Sequence, residues 1–141
     1  MIALLQARAD GLWSRSQLRT SDGVRRSRGG VLIYSIEGPF FFGAAEKLER
    51  SLEHIHRATT TLILRMGNVP FVDATGIFAI EEIITDFRRH GATVLLVEVR
   101  PNVRYKLDRG GVIAHVGPDN VIDTLAQAML RAKELNRGIH A

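Results

Sequence analysis

An acid and a hydroxyl stand two residues apart in the stretch Val69-Pro70-Phe71-Val72-Asp73-Ala74-Thr75-Gly76. Pro70 stops regular structure, and Asp73 falls where a helix needs a cap, so both polar side chains belong to a helix entrance. The first-turn amide N–H groups of a helix lack intrahelical partners, and an oxygen placed among them is stabilised. Capping is the plain role for Asp73 or Thr75 and contributes typically ~1 kcal/mol. Thr75 is also a candidate phosphoacceptor; phosphorylation would add about −1.5 to −2 charges beside Asp73. Elsewhere the reactive side chains do not assemble. His54 and His56 are spaced i, i+2 on a helix and point apart, while His90, His115 and His140 have no partner by spacing. Glu81 and Glu82 together with Asp73 read as a capped, acidic helix start. Neither a Ser/His/Asp set nor a carboxylate pair nor a metal-ligand cluster emerges, so the expectation is a non-catalytic protein with no metal and no cofactor.

The elements that hold this entrance follow from apolar spacing. Leu62-Ile63-Leu64, led by Thr59-Thr60-Thr61, is a buried strand. After Gly76 the apolar positions Ile77, Ile80, Ile83/Ile84 and Phe87 recur with helical period, and Arg88, Arg89, His90 and Gly91 suit the helix's negative end. A helix opening just past a central strand's carboxyl end is where open α/β sheets bind ligands or partners. Upstream, Val31–Ile36 is a strand and Glu37-Gly38-Pro39 a turn, with Phe40-Phe41-Phe42 expected to continue as the second arm of a hairpin. Side chains alternate along a strand, so one or two of these phenylalanines belong in the core and at least one near the surface, where it could form an apolar docking patch. From Gly43, the residues Ala44/Ala45, Leu48, Leu52 and Ile55 mark an amphipathic helix. Downstream, Ala92–Glu98 is a near-continuous apolar strand, and Pro101 opens a short helix closed by Gly110-Gly111. Val112-Ile113-Ala114 is expected as a brief strand. The last helix is expected to be capped by Asp119 or Asn120, with a stripe of Val121/Ile122, Leu125, Met129 and Leu130. The sum is an α/β fold: a small mixed sheet with an N-terminal hairpin and parallel central strands, flanked by about four helices.

Cysteine is absent, which excludes disulfides and thiolate chemistry, and no apolar run reaches the ~18–20 residues a membrane span needs. The expectation is a soluble, cytoplasmic chain. Its net charge of +4 is unevenly placed. Residues 1–30 hold six arginines against Asp10 and Asp22, whereas the remainder holds 13 cations and 13 carboxylates. Residues 1–30 therefore read as a basic, flexible leading segment or linker, with irregular apolar residues from Met1 to Leu18 that could form a frayed helix. Residues 31–137 read as the folded domain. The body has no basic stripe interleaved with aromatics, so nucleic acid is not expected as a partner.

Three segments resemble one family. Gly38-Pro39-Phe40-Phe41-Phe42-Gly43-Ala44-Ala45-Glu46-Lys47-Leu48 is similar to the opening of STAS domains from SulP-type anion transporters. Leu62–Met66 with Val69–Gly76 resembles that family's central strand and signature loop, and Gly91–Val97 the strand that follows. The resemblance runs from about Val31 to Leu135. It implies a regulatory, protein-interaction domain on the cytoplasmic side of a membrane transporter for sulfate or a related anion. It also implies a signature loop of Val69, Pro70, Phe71, Asp73, Ala74, Thr75 and Gly76 that meets the membrane domain or another cytoplasmic regulatory protein; self-association stays open. STAS domains also occur alone as anti-sigma-factor antagonists, where a loop Ser or Thr is phosphorylated; Thr75 falls on that position. The phenylalanine run points to the transporter branch. Nucleotide binding, proposed for the family, is discounted, since no phosphate-cradling glycine-rich loop is present.

Overall fold

The computed structural model describes residues 24–26, 28–53, 55 and 59–140. The expected frayed helix before Leu18, and His54 and His56, lie outside the described residues. Five strands form one sheet in the order β1-β2-β3-β4-β5: β1 (Val24–Arg26), β2 (Val31–Glu37), β3 (Thr61–Asn68), β4 (Thr93–Val97) and β5 (Val121–Ile122). β1 runs antiparallel to β2, and β2 to β5 are mutually parallel. The helices are α1 (Phe42–Leu52), α2 (Ala74–Arg89), α3 (Pro101–Arg109), α4 (Val112–Val116) and α5 (Leu125–His140). This is the expected mixed α/β fold.

The parallel strands are apolar throughout because both sheet faces are covered. Leu62, Leu64 and Met66 of β3 join Leu48 and Leu52 of α1 and Ile80, Ile84 and Phe87 of α2 on one side. Ile63 of the same strand points the other way, into a smaller cluster with Ile33, Leu95, Val97 and Leu125, Ala128, Met129 and Ala132 of α5. Alternation along one strand thus divides the core in two.

Four local expectations are corrected. The hairpin is β1 with β2, Val24 lying opposite Tyr34, so the sheet begins inside the stretch read as a leading segment. The phenylalanine run is not its second arm: Phe40 makes a single parallel bridge to Val72, and α1 has begun by Phe42. Val112–Ala114 is the start of a helix, not a strand. Gly111, at φ 85, reverses the chain, and Val112, Ile113 and Val116 then fall on one buried helical face. The fifth strand is instead Val121–Ile122, placed beside Leu96 and Val97 at the open edge of β4. The last helix accordingly starts at Leu125 behind Thr124, whose Oγ1 accepts the Gln127 N–H at 3.1 Å, and Leu130 faces solvent.

Candidate functional site

The helix entrance sits at the carboxyl end of β3, pinned from several directions. Val69 is fully buried and anchors the loop. Asp73 is the N-cap: its Oδ1 accepts the Gly76 N–H at 2.8 Å, and its carbonyl accepts the Ile77 N–H at 3.0 Å. The Phe40 N–H donates to the Phe71 carbonyl at 2.9 Å, tying the loop to the start of α1. From α3's side, Asn102 Nδ2 donates to the Pro70 carbonyl at 2.8 Å and Arg100 Nε to the Gly67 carbonyl at 3.0 Å. Gly76 is the tightest point. A Cβ there would lie 2.4 Å from the Phe40 carbonyl oxygen and 2.9 Å from Val72 Cγ2, so the absent side chain lets α2 pack against the Phe40 backbone.

What this frame presents is mixed in polarity. Ala74 and Thr75 are exposed on the first turn of α2, with Pro70 and Asp73 half-buried beneath. Phe71 (59% exposed) and Phe78 (63%) flank them, Phe78 one turn along α2 from Thr75. Phe41 (45%) and Phe42 (63%) stand at the head of α1. Phe40, read as part of one docking run with them, is fully buried and leaves that set: its bridge to Val72 aims the ring inward. The split of one core and two surface phenylalanines fits strand alternation at Phe40 and the helix that starts two residues later. Phe78 was missed as a site residue although its signal was legible, since it is the one large apolar residue of α2 off the 77/80/83/84/87 stripe.

Two polar pairs were invisible to spacing. His115 Nδ1 lies 2.7 Å from Glu81 Oε2 and joins α4 to α2, so Glu81 does more than acidify a helix start. Arg65 grips Glu98 with both forks, Nε to Oε1 at 3.0 Å and Nη2 to Oε2 at 3.1 Å. Glu98 holds a left-handed φ of 62, and Gly67 opposite makes room: a Cβ there would meet Glu98 Cβ at 3.3 Å. Partners 34 and 33 residues apart have no linear signature. Among the described residues no group of three His, Asp or Glu side chains is arranged to hold a metal ion.

The STAS domain family model matches residues 24–128. The chain belongs to the STAS domain family. It is 31% identical over 101 residues to Putative sulfate transporter YvdB of Bacillus subtilis (strain 168), covering 71% of this chain but 19% of that protein. The STAS domain therefore spans about a fifth of the length of that relative. Among solved structures, a sulfate transporter family protein from Wolinella succinogenes is 40% identical with a TM-score of 0.71, over 75% of this chain and 87% of that one. The SulP transporter STAS domain from Vibrio cholerae is 37% identical with a TM-score of 0.62, over 80% and 83% of the two chains. The anti-sigma factor antagonist SpoIIAA, in its unphosphorylated form, shares the fold at 15% identity and a TM-score of 0.61, over 78% of this chain and 96% of that one. Among the described residues of the STAS domain, no helix is long and apolar enough to cross a membrane.

Proposed function

We propose that this STAS domain is a non-catalytic regulatory and protein-interaction module of a SulP-type transporter for sulfate or a related anion. It works at the cytoplasmic face of the membrane by presenting the loop and helix from Val69 to Phe87 to a partner protein, either the transporter's membrane domain or a cytoplasmic regulator. The observation that carries this reading is the exposure of Phe71, Thr75 and Phe78 on a loop whose backbone is fixed by Asp73, Phe40 and Asn102. Large exposed apolar side chains on rigid backbone form contacts at little ordering cost, which is what a docking surface needs. The likeness to sulfate transporter family proteins supplies the transporter context. The test is labelled sulfate and bicarbonate uptake in the native host, with the chromosomal gene intact, with residues 31–137 deleted, and with Phe78→Asp. Altered uptake in both altered strains is expected. Unchanged uptake after the deletion overturns the reading.

A second reading makes the domain a free-standing antagonist-like switch worked by phosphorylation of Thr75. The exposed position of Thr75 on the first turn of α2 favours it. Incubation with ATP and the host's kinase fraction, followed by mass spectrometry, tests it directly. A Thr75→Ala protein labelled as well as wild type removes Thr75 from any such switch.

A further inference from the structure

Residues 31–141 are balanced in charge, yet they are not evenly charged. Arg100, Arg104, Lys106 and Arg109 fall within ten residues that hold one carboxylate, Asp108, a local excess of +3. The rest of the body therefore carries −3, and α3 is its positive pole. All four cations are exposed, while Val103 and Leu107 pin the opposite side of α3 into the core. Tyr105 projects among them, 61% exposed, with the Arg109 guanidinium 5.7 Å from its ring and Nη1 donating to its hydroxyl at 3.1 Å.

The position of α3 brings this pole beside the loop that carries the exposed Phe71. Asn102 bonds the Pro70 carbonyl, next to Phe71, and Gly110 lies so close to α2 that a Cβ on it would meet Ile77 Cγ2 at 2.9 Å. Lys106 is four residues from each, so it lies on the flank of α3 that meets the loop at Pro70 and α2 at Ile77. The cavities between α1 and α2 and beside β5 lie elsewhere.

We propose that α3, with Tyr105 and the neighbouring Phe71, is a contact surface for the anionic headgroup layer of a lipid bilayer. The proposal deepens the reading above, since it rests on the domain working beside a membrane, and adds lipid as a second surface the domain meets. Cations near an anionic leaflet each strengthen attachment, and amphipathic aromatics settle at the boundary between headgroups and acyl chains. Exposed cations beside an exposed tyrosine match an anionic headgroup layer in charge and polarity, and the likeness to transporter proteins is what sets a membrane beside the domain. A folded acidic protein or a nucleic acid could use the same cations and the same tyrosine, so the test includes a competing polyanion.

The test is sedimentation of the full chain with vesicles of phosphatidylcholine, alone or mixed with phosphatidylglycerol, at low and high salt. Binding only to the mixed vesicles is expected, weakening as salt rises. Replacing Arg104, Lys106 and Arg109 with Gln lowers affinity by on the order of a hundredfold. The conservative pair Arg104→Lys and Arg109→Lys retains it, which separates lost charge from lost fold. The leading segment is itself basic, so a companion variant carries Gln at Arg8, Arg15, Arg19, Arg25, Arg26 and Arg28. Binding that survives in this companion supports α3; binding lost there and kept in the α3 variant overturns it. Equal capture of the wild type on DNA-coated beads, lost with the same α3 charges, also overturns it in favour of a general polyanion surface. If vesicle binding fails while deletion of residues 31–137 alters uptake, this inference alone falls. If vesicles bind and uptake is indifferent, the transporter reading falls instead.

Discussion

Gly76→Ala should destabilise the domain, against the ordinary rule for helices. In a helix interior, Ala is favoured over Gly by roughly 0.5–1 kcal/mol, so propensity alone predicts a gain at this α2 position. The packing predicts the reverse. The new methyl would stand 2.4 Å from the Phe40 carbonyl oxygen, 2.7 Å from Phe40 Cδ2 and 2.9 Å from Val72 Cγ2. The ring can move slightly, but the carbonyl is backbone and Phe40 is wholly buried, so α2 or the Phe40 segment must shift. Overpacking of this kind costs ~1–3 kcal/mol, and shifting Phe40 strains its N–H bond to Phe71, another ~1 kcal/mol. The net expectation is a loss of about 2–3 kcal/mol, a melting temperature lower by roughly 8–12 °C for a domain of this size. Gly43→Ala is the control: it is also helical, with nothing within 4 Å of its added Cβ, and should stabilise by up to ~1 kcal/mol. Thermal unfolding followed by circular dichroism reads both. A Gly76→Ala protein as stable as wild type refutes the reasoning, because it would mean the loop can yield without loss.

The divided phenylalanine run gives a sharper contrast: Phe40→Ala should cost ~3–5 kcal/mol in urea unfolding, whereas the exposed Phe42→Ser should stay within about 0.5 kcal/mol. Removing the cap with Asp73→Ala should cost ~1 kcal/mol, and Asp73→Asn should recover most of it, since an amide oxygen can still accept the Gly76 N–H. A double-mutant cycle between Glu81→Ala and His115→Ala should return a coupling under about 1 kcal/mol, because both side chains are about a third exposed. A coupling near zero would show that the pair merely coincides with the packing of α4 on α2.

The sequence made the sheet legible wherever burial is continuous. Leu62-Ile63-Leu64 and Val94-Leu95-Leu96 could be nothing but strands covered on both faces, and the 77/80/83/84/87 stripe marked α2 as amphipathic. Errors cluster where the decisive contact is distant. Val112-Ile113 and Val121-Ile122 are both short β-branched pairs; only the free edge of β4 decides which becomes a strand, and Gly111's φ decides that the other turns into a helix. At the site, Asp73 announced itself through local cap chemistry, and it caps as expected. Arg65 with Glu98 and Glu81 with His115 could not be found the same way, since each joins residues that meet only once the elements are stacked.

That division bears on how the loop can act. The Val69–Gly76 backbone is held by Val69 to Met66, Phe40 to Phe71, Asn102 to Pro70, Asp73 to Gly76 and Ile77, and by the close packing of Gly76 on Phe40. None of them consumes Phe71, Thr75 or Phe78, which stay exposed. Ordering a mobile side chain on binding costs about 0.5–1.5 kcal/mol each, and ordering a loop adds backbone entropy on top. Here the backbone share is already met by folding, so a partner that touches the tip of α2 faces only the side-chain share. A phosphoryl group on Thr75 would then change the charge of a surface the fold already holds, beside the Asp73 carboxylate that caps α2, and a docked partner would meet that change directly.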